Sequence, residues 1–222
     1  MADNSLTIEK LEALATQDVF LANMLRRLTV KTYSDFVEVL YDDLKLATER
    51  LEQNPQLHLE DEEDATTEKL LLILFGFQYQ ASHDAQSGGA VDITVELPKR
   101  GFKWIGEAKR FKSVADMREG YLQLSTRYSP GSGSLNLVHG GLIGYLRRSR
   151  AAKHVADWKE HFKEQFDSEG TTYSDCNRRG PWGFITEQEH ESLGVPFRVW
   201  HFCISLHFAP KDKSARSAKK YK

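Results

Sequence analysis

Two short runs in the middle of the chain, VDITVEL (residues 91–97) and KWIGEAK (103–109), alternate apolar and polar side chains on either side of a turn-forming PKRG. Period-two alternation marks strands, and a proline–glycine turn between two such runs makes an antiparallel hairpin. A lone hairpin is marginal in water, so the rest of the chain has to add strands and a covering layer. Lys103, Ile105, Glu107 and Lys109 share one face of the second run, and Trp104, Gly106 and Ala108 the other. In the first run Asp92, Thr94 and Glu96 oppose Val91, Ile93, Val95 and Leu97. Glu107 and Lys109 stand about 6–7 Å apart along their strand, and pairing across the turn brings Asp92 opposite them. Two carboxylates and an ammonium therefore converge at one end of the hairpin.

The flanking sequence supplies the covering layer. Residues from about 5 to 55 carry apolar positions at helical spacing in two segments, SLTIEKLEALATQDVFLANMLRRL and SDFVEVLYDDLKLATERLEQ, with Ser34 as the N-cap of the second. After Pro55 an acidic run, EDEED, leads into ATTEKLLLILFGFQYQ. Acids in a first turn favour the positive end of a helix, so this helix starts near Asp64 or Thr66. FQYQASHD reads as a short strand and AQSGGA as a turn. After the hairpin come a helix over about 114–127, a strand in LVHGGLIGYL, a helix in AAKHVADWKEHFKEQF and a central strand in FRVWHFCISLHF. SPGSGS (129–134) reads as a flexible loop and KDKSARSAKKYK as a basic, disordered tail. This order predicts an α/β fold with a mixed central sheet flanked by helices. Its expected parts are an N-terminal helical element over 1–58, a main domain over 59–210 and the tail over 211–222.

The formal net charge of −2 excludes a globally basic nucleic-acid coat but not a local basic groove. The longest apolar run, LLLILFGF, is too short to cross a membrane, and MADNSLTIEK has no signal-peptide core. Two cysteines make neither a disulfide framework nor a paired zinc motif. The expectation is a reduced, cytoplasmic protein with no membrane partner. His201, Cys203 and His207 share a strand face, but the two histidines are too far apart along it for one ion, so a buried polar face is the better reading.

Paired carboxylates suit Mg²⁺, with Mn²⁺ substituting, and a lysine beside them can stabilise charge on phosphoryl oxygens. An ordinary cross-strand salt bridge on a surface hairpin is the plain alternative. VDITVEL…KWIGEAK resembles the signature of the PD-(D/E)XK nuclease superfamily, the restriction-endonuclease-like fold: an acid on one hairpin strand, then an acid-x-lysine on the next. Asp92, Glu107 and Lys109 match it, with Val91 in place of the proline. The surrounding order is similar too: a helix carrying a glutamate, a strand, the hairpin, and a helix that often bears a glutamine. The resemblance implies a metal-dependent endonuclease acting on nucleic acid, DNA before RNA. Asp92, Glu107 and a helix glutamate would hold Mg²⁺; Glu68 is the candidate for that glutamate and Glu63 its rival. Gln123 takes the place of the glutamine, although Arg127 stands where some relatives carry a tyrosine. Restriction or phage defence is the expected biology, with DNA repair behind it. A nucleic-acid- or partner-binding subunit on the same fold is the alternative, and a partner subunit or homodimer is compatible with either.

A nuclease also needs cations around its acidic site, because phosphate contacts supply most non-specific affinity. Arg110 and Lys112 leave the lysine strand, and Arg147 and Arg148 follow a later one. NRRGPW offers Arg178 and Arg179 with Trp182 for stacking, and His83 stands in the approach to Asp92.

Overall fold

The computed structural model describes residues 7–83, 85–86, 90–127, 138–190 and 194–212. Among them are three N-terminal helices, α1 (Ile8–Ala15), α2 (Val19–Thr29) and α3 (Tyr33–Glu52), followed by α4 (Glu63–Gly76). Next come β1 (Gln80–Ser82), β2 (Ala85–Gln86), β3 (Ala90–Val91), β4 (Ile93–Leu97) and β5 (Phe102–Arg110). The remainder is α5 (Val114–Leu122), β6 (His139–Leu146), α6 (Ala151–Phe166), β7 (Thr172–Asp175), β8 (Gly183–Glu189) and β9 (Pro196–Ser205).

Seven strands form one sheet in the order β1-β4-β5-β6-β9-β8-β7, while β2 and β3 pair separately. The three central strands β5, β6 and β9 are parallel, and antiparallel pairs flank them on both sides. The sheet is mixed and the fold α/β, as the element order predicts. Parallel central strands need both faces covered. On one face α3 and α4 pack Phe36, Leu40, Leu44 and Leu70 against Trp104, Ile143, Trp200 and Phe202. On the other, α5 and α6 pack Met117, Tyr121, Trp158 and Phe162 against Ile105, Leu142 and Val199. Alternation in the hairpin therefore sorts residues between two cores rather than between core and water, and Thr94 is as buried as Ile93. The first core runs from Val30 to Leu206, so α3 is a layer of the main body and no break in packing falls at residue 58.

Local capping accounts for several departures from the expected elements. The first helical segment is split because the Asp18 carboxylate accepts from Phe20 N at 2.8 Å and starts α2. Thr32, not Ser34, caps α3, in a reciprocal box with Asp35. The run 91–97 is broken at Asp92, with β3 in the small ribbon on one side and β4 in the main sheet on the other. AQSGGA, read as a turn, contributes β2 at its start and the first residue of β3 at its end. TYSD and GFITEQE add β7 and β8, which the sequence reading does not include. The loop at 129–134 and most of the basic tail lie outside the described residues. Among the described residues no helix is long and apolar enough to cross a membrane.

Candidate active site

The site is built on the far end of β5. Its ladder with β4 stops at the pair Ile93 and Gly106, yet β5 continues to Arg110 with β6 beside it on the other side only. The backbone N–H groups of Ala108 and Arg110 are left open, and open donors in a covered sheet must find acceptors. Asp92, at the bend before β4, accepts from Ala108 N through Oδ2 at 3.0 Å. Glu63, in the first turn of α4, accepts from Arg110 N through Oε2. Two acids from different elements are thus strung along one strand edge.

Lys109 stands among them. Its Nζ is 2.6 Å from Glu107 Oε1, 3.8 Å from Asp92 Oδ2 and 3.9 Å from Glu63 Oε1. Burial works to lower the Lys109 pKa, but the bond to Glu107 and the charges of Glu107, Asp92 and Glu63 outweigh it and raise the pKa above its usual value. The amine therefore stays charged. Burial lifts the Glu63 carboxyl above its ordinary range, with Asp92 and Asp64 adding to it, against the Arg110 N–H and Lys109. Glu107 is only 1% exposed. The cause is α5, which lies directly over it because residue 120 is glycine. A Cβ there would fall 2.9 Å from Leu142 Cδ1, 3.0 Å from Lys109 Cγ and 3.5 Å from Glu107 Cγ.

A pair of hydroxyls holds α4 in place. Thr67, one turn after Glu63, donates its proton to the Glu63 carbonyl at 3.0 Å. It therefore accepts from the buried Tyr145 hydroxyl, 2.9 Å away. Tyr145 sits beside Arg110 on the neighbouring strand, and burial raises its pKa, keeping it a neutral donor.

Next to this cluster the four cations expected to meet nucleic acid come together. Arg110, Lys112, Arg147 and Arg148, with Phe111 and Tyr145, line a pocket of about 170 Å³. Arg110 is paired with Glu62 at 2.6 Å, Arg147 holds the carbonyls of Leu59 and Asp61, and Arg148 reaches the Phe111 carbonyl at 3.2 Å.

Other expected residues fall elsewhere. Glu68 lies outside the cluster: five residues after Glu63 it is turned about 140° around α4 and is exposed, and it is Glu63 that stands 3.9 Å from Lys109. Gln123 opens a π turn (Gln123–Arg127) at the end of α5, and its buried Oε1 makes no hydrogen bond among the described residues. Arg178 is tied to Glu38 at 2.6 Å and Asp42 at 2.7 Å, and Arg179 to Glu52 at 2.6 Å. Both fasten their loop to α3 instead of presenting free charge. His83 Nε2 lies 4.0 Å from Asp64 Oδ1. His201 is buried, stacked on Phe184 and bonded to Thr186 at 2.7 Å, while the exposed His207 meets the Arg147 carbonyl at 3.1 Å, so the two share no ion. Gly120, Thr67 and Tyr145 are absent from the sequence reading. Only Gly120 left a local signal, a glycine inside a helical run.

Compared with known proteins, the chain matches no family model, no curated protein and no solved structure. Among the described residues no group of three His, Cys, Asp or Glu side chains is already set as the ligands of one ion. The donor chemistry nonetheless fits a hard divalent cation. Glu63, Asp92 and Glu107 offer only oxygen donors, and their three negative charges face the single positive charge of Lys109.

Proposed function

We propose that the chain is a metal-dependent nuclease hydrolysing phosphodiester bonds, with DNA as the first substrate class to test. The observation that carries this is the convergence of Glu63, Asp92 and Glu107 on Lys109 beside the four-cation pocket. The succession of α4, β1, the β4–β5 hairpin, α5 and β6 is the order expected of a restriction-endonuclease-like core, and it supports that finer reading of the α/β fold.

Glu63, Asp92 and Glu107 are the residues that would hold the ion. Mg²⁺ or Mn²⁺ bound there supplies Lewis acidity toward a phosphoryl oxygen and a more acidic water. Lys109, kept charged by its carboxylate neighbours and oriented by Glu107, is a donor to phosphoryl oxygens rather than a base. Gly120 lets α5 cover the Glu107 side chain and exclude water from it. Lys112 and Arg148, with Arg110 exchanging its pair with Glu62, would meet neighbouring phosphates, since counter-charge supplies most of the non-specific affinity, while Arg147, held by the Leu59 and Asp61 carbonyls, backs the pocket.

The test is cleavage of supercoiled plasmid, linear duplex and single strands with Mg²⁺, Mn²⁺ or EDTA, with Asp92→Ala and Lys109→Ala alongside and each melt recorded. Metal-dependent cutting that vanishes in both folded variants is the expected result. No cutting, together with no effect of metal on the wild-type melt, would refute the catalytic reading. DNA binding that persisted would then assign a binding subunit on the same fold.

A further inference from the structure

We propose that Arg147 is a positioning residue: by holding the loop that leads into α4, it sets Glu63 where it can join Asp92 and Glu107 in holding the ion. Its guanidinium is committed to that task rather than to a phosphate. The inference rests on the reading of Glu63 as a metal ligand and names what puts it there.

Asp92, Glu107 and Lys109 belong to the hairpin, whereas Glu63 comes from α4, so its place depends on how the start of α4 is fixed against the sheet. The usual local device is missing there. The N-cap of α4 is Glu62, whose side chain makes no capping hydrogen bond and pairs with Arg110 at 2.6 Å instead. The loop before it is tied to α4 itself. Asp61 Oδ2 lies 2.5 Å from Lys69 Nζ and 3.0 Å from His58 Nδ1, and Lys69 donates to the Leu57 carbonyl at 3.3 Å. Loop and helix thus form one body, and these internal bonds do not fix where that body sits on the sheet.

Arg147 joins the two. It follows the last residue of β6, where the Leu146 carbonyl accepts from Leu206 N at 2.7 Å and the Arg147 carbonyl meets His207 Nδ1 at 3.1 Å, so its backbone is anchored. Its Nη1 donates to the Leu59 carbonyl at 2.8 Å and its Nη2 to the Asp61 carbonyl. A guanidinium carries its N–H groups in a rigid planar fork, so two carbonyls two residues apart are held in one geometry. A lysine ammonium, a point charge on a flexible stem, does not impose that geometry. Asp61 is two residues from Glu63, whose Oε2 accepts from Arg110 N and whose Oε1 stands 3.9 Å from Lys109. Tyr145, two residues before Arg147, makes a second tie through Thr67 at 2.9 Å. Both ties spring from β6, the strand paired with β5, so α4 is referred to the same frame that carries Glu107 and Lys109.

The test reads Glu63 without any cleavage. In the metal-free chain, exchange of the Arg110 amide proton, which Glu63 accepts, is followed by NMR against that of the Ala108 amide, which Asp92 holds within the hairpin. Mn²⁺ affinity is measured by calorimetry without nucleic acid. Arg147→Lys and Arg147→Met are each expected to speed Arg110 exchange, to leave Ala108 exchange unchanged and to weaken Mn²⁺ binding at least about tenfold. Arg147→Met is also expected to leave the slope of log K against log salt for DNA binding unchanged, whereas loss of a phosphate contact lowers it by about one. Thermal melts establish that each variant is folded. Tyr145→Phe, which removes a single hydroxyl, is expected to speed Arg110 exchange in the same way and serves if the Arg147 variants do not fold. Unchanged Arg110 exchange, unchanged Mn²⁺ affinity, or a salt slope lowered by about one in Arg147→Met would each overturn the inference while leaving the metal site standing. A wild type that takes up no Mn²⁺ would instead refute the reading of Glu63 as a ligand, and the inference falls with it.

Discussion

Replacing Gly120 with alanine sets two known quantities against each other. Alanine inside a helix is favoured over glycine by about 1 kcal/mol, so a Gly→Ala change in open space stabilises. At Gly120 the new methyl would stand 2.9 Å from Leu142 Cδ1 and 3.0 Å from Lys109 Cγ. Both distances lie inside the roughly 3.5–4.0 Å optimum for carbon pairs. Leu142 is fully buried and the Lys109 stem is held by the 2.6 Å bond to Glu107, so neither side chain yields freely. Overpacking of this kind costs about 1–3 kcal/mol. The propensity gain is therefore outweighed, and a net loss of about 1 kcal/mol is expected in urea unfolding. Gly76, which has nothing within 4 Å of its would-be Cβ, is the internal control. Gly76→Ala at the end of α4 is expected to gain up to about 1 kcal/mol. If Gly120→Ala stabilised the chain as much as Gly76→Ala does, the close approach of α5 to Lys109 would be wrong, and with it the account of how Glu107 is buried.

Glu63→Gln keeps an acceptor for the Arg110 N–H but removes a carboxylate, so any metal-dependent cleavage should fall at least about 100-fold, whereas Glu68→Gln leaves it unchanged. In metal-free buffer the same Glu63→Gln change should raise the neutral-pH melt. The raised carboxyl means that the native state holds its proton more tightly than the unfolded chain, so stability is lost as pH climbs from the ordinary glutamate range through the folded value. With the group partly exposed, the gain is under about 1 kcal/mol. Arg179→Ala breaks a nearly buried pair with Glu52 and should cost about 3 kcal/mol without changing the salt dependence of DNA binding. Lys112→Ala and Arg148→Ala should do the reverse, each lowering the slope of log K against log salt by about one. Burial, with Arg198 adding to it, pushes His139 down to about 4. Its contribution is complete above pH 6.5 and disappears as pH falls toward 4, up to about 3 kcal/mol, and replacing His139 with phenylalanine should flatten that limb of the unfolding curve.

The hairpin was readable because its information is local. Period-two alternation sets which of Trp104, Glu107, Ala108 and Lys109 share a face whatever surrounds them. The choice between Glu63 and Glu68 was not readable, because it depends on the rotational phase with which α4 docks on β5, and no residue within α4 records that phase. Arg178 and Arg179 look like free cations in sequence because their partners Glu38, Asp42 and Glu52 lie 127 to 140 residues away. The break at Asp92 is hidden in the sequence for a different reason. The run 91–97 is uninterrupted as a pattern, and only the shorter ladder of β4 shows that a carboxylate takes over where backbone pairing ends.

The hydroxyl contact between Thr67 and Tyr145 has a consequence for the order in which the chain acquires its charge cluster. Asp92, Glu107 and Lys109 belong to a single hairpin, and hairpins close in about 1–10 μs. Glu63 arrives only when α4 docks, a step secured by two residues 78 positions apart, and contacts of such separation form late. The early cluster sets two carboxylates against one ammonium and carries a single excess negative charge. Docking doubles that excess in one step. The site's attraction for positive charge is thus acquired with the finished tertiary structure, and a chain still searching for its fold presents only the weaker half of it.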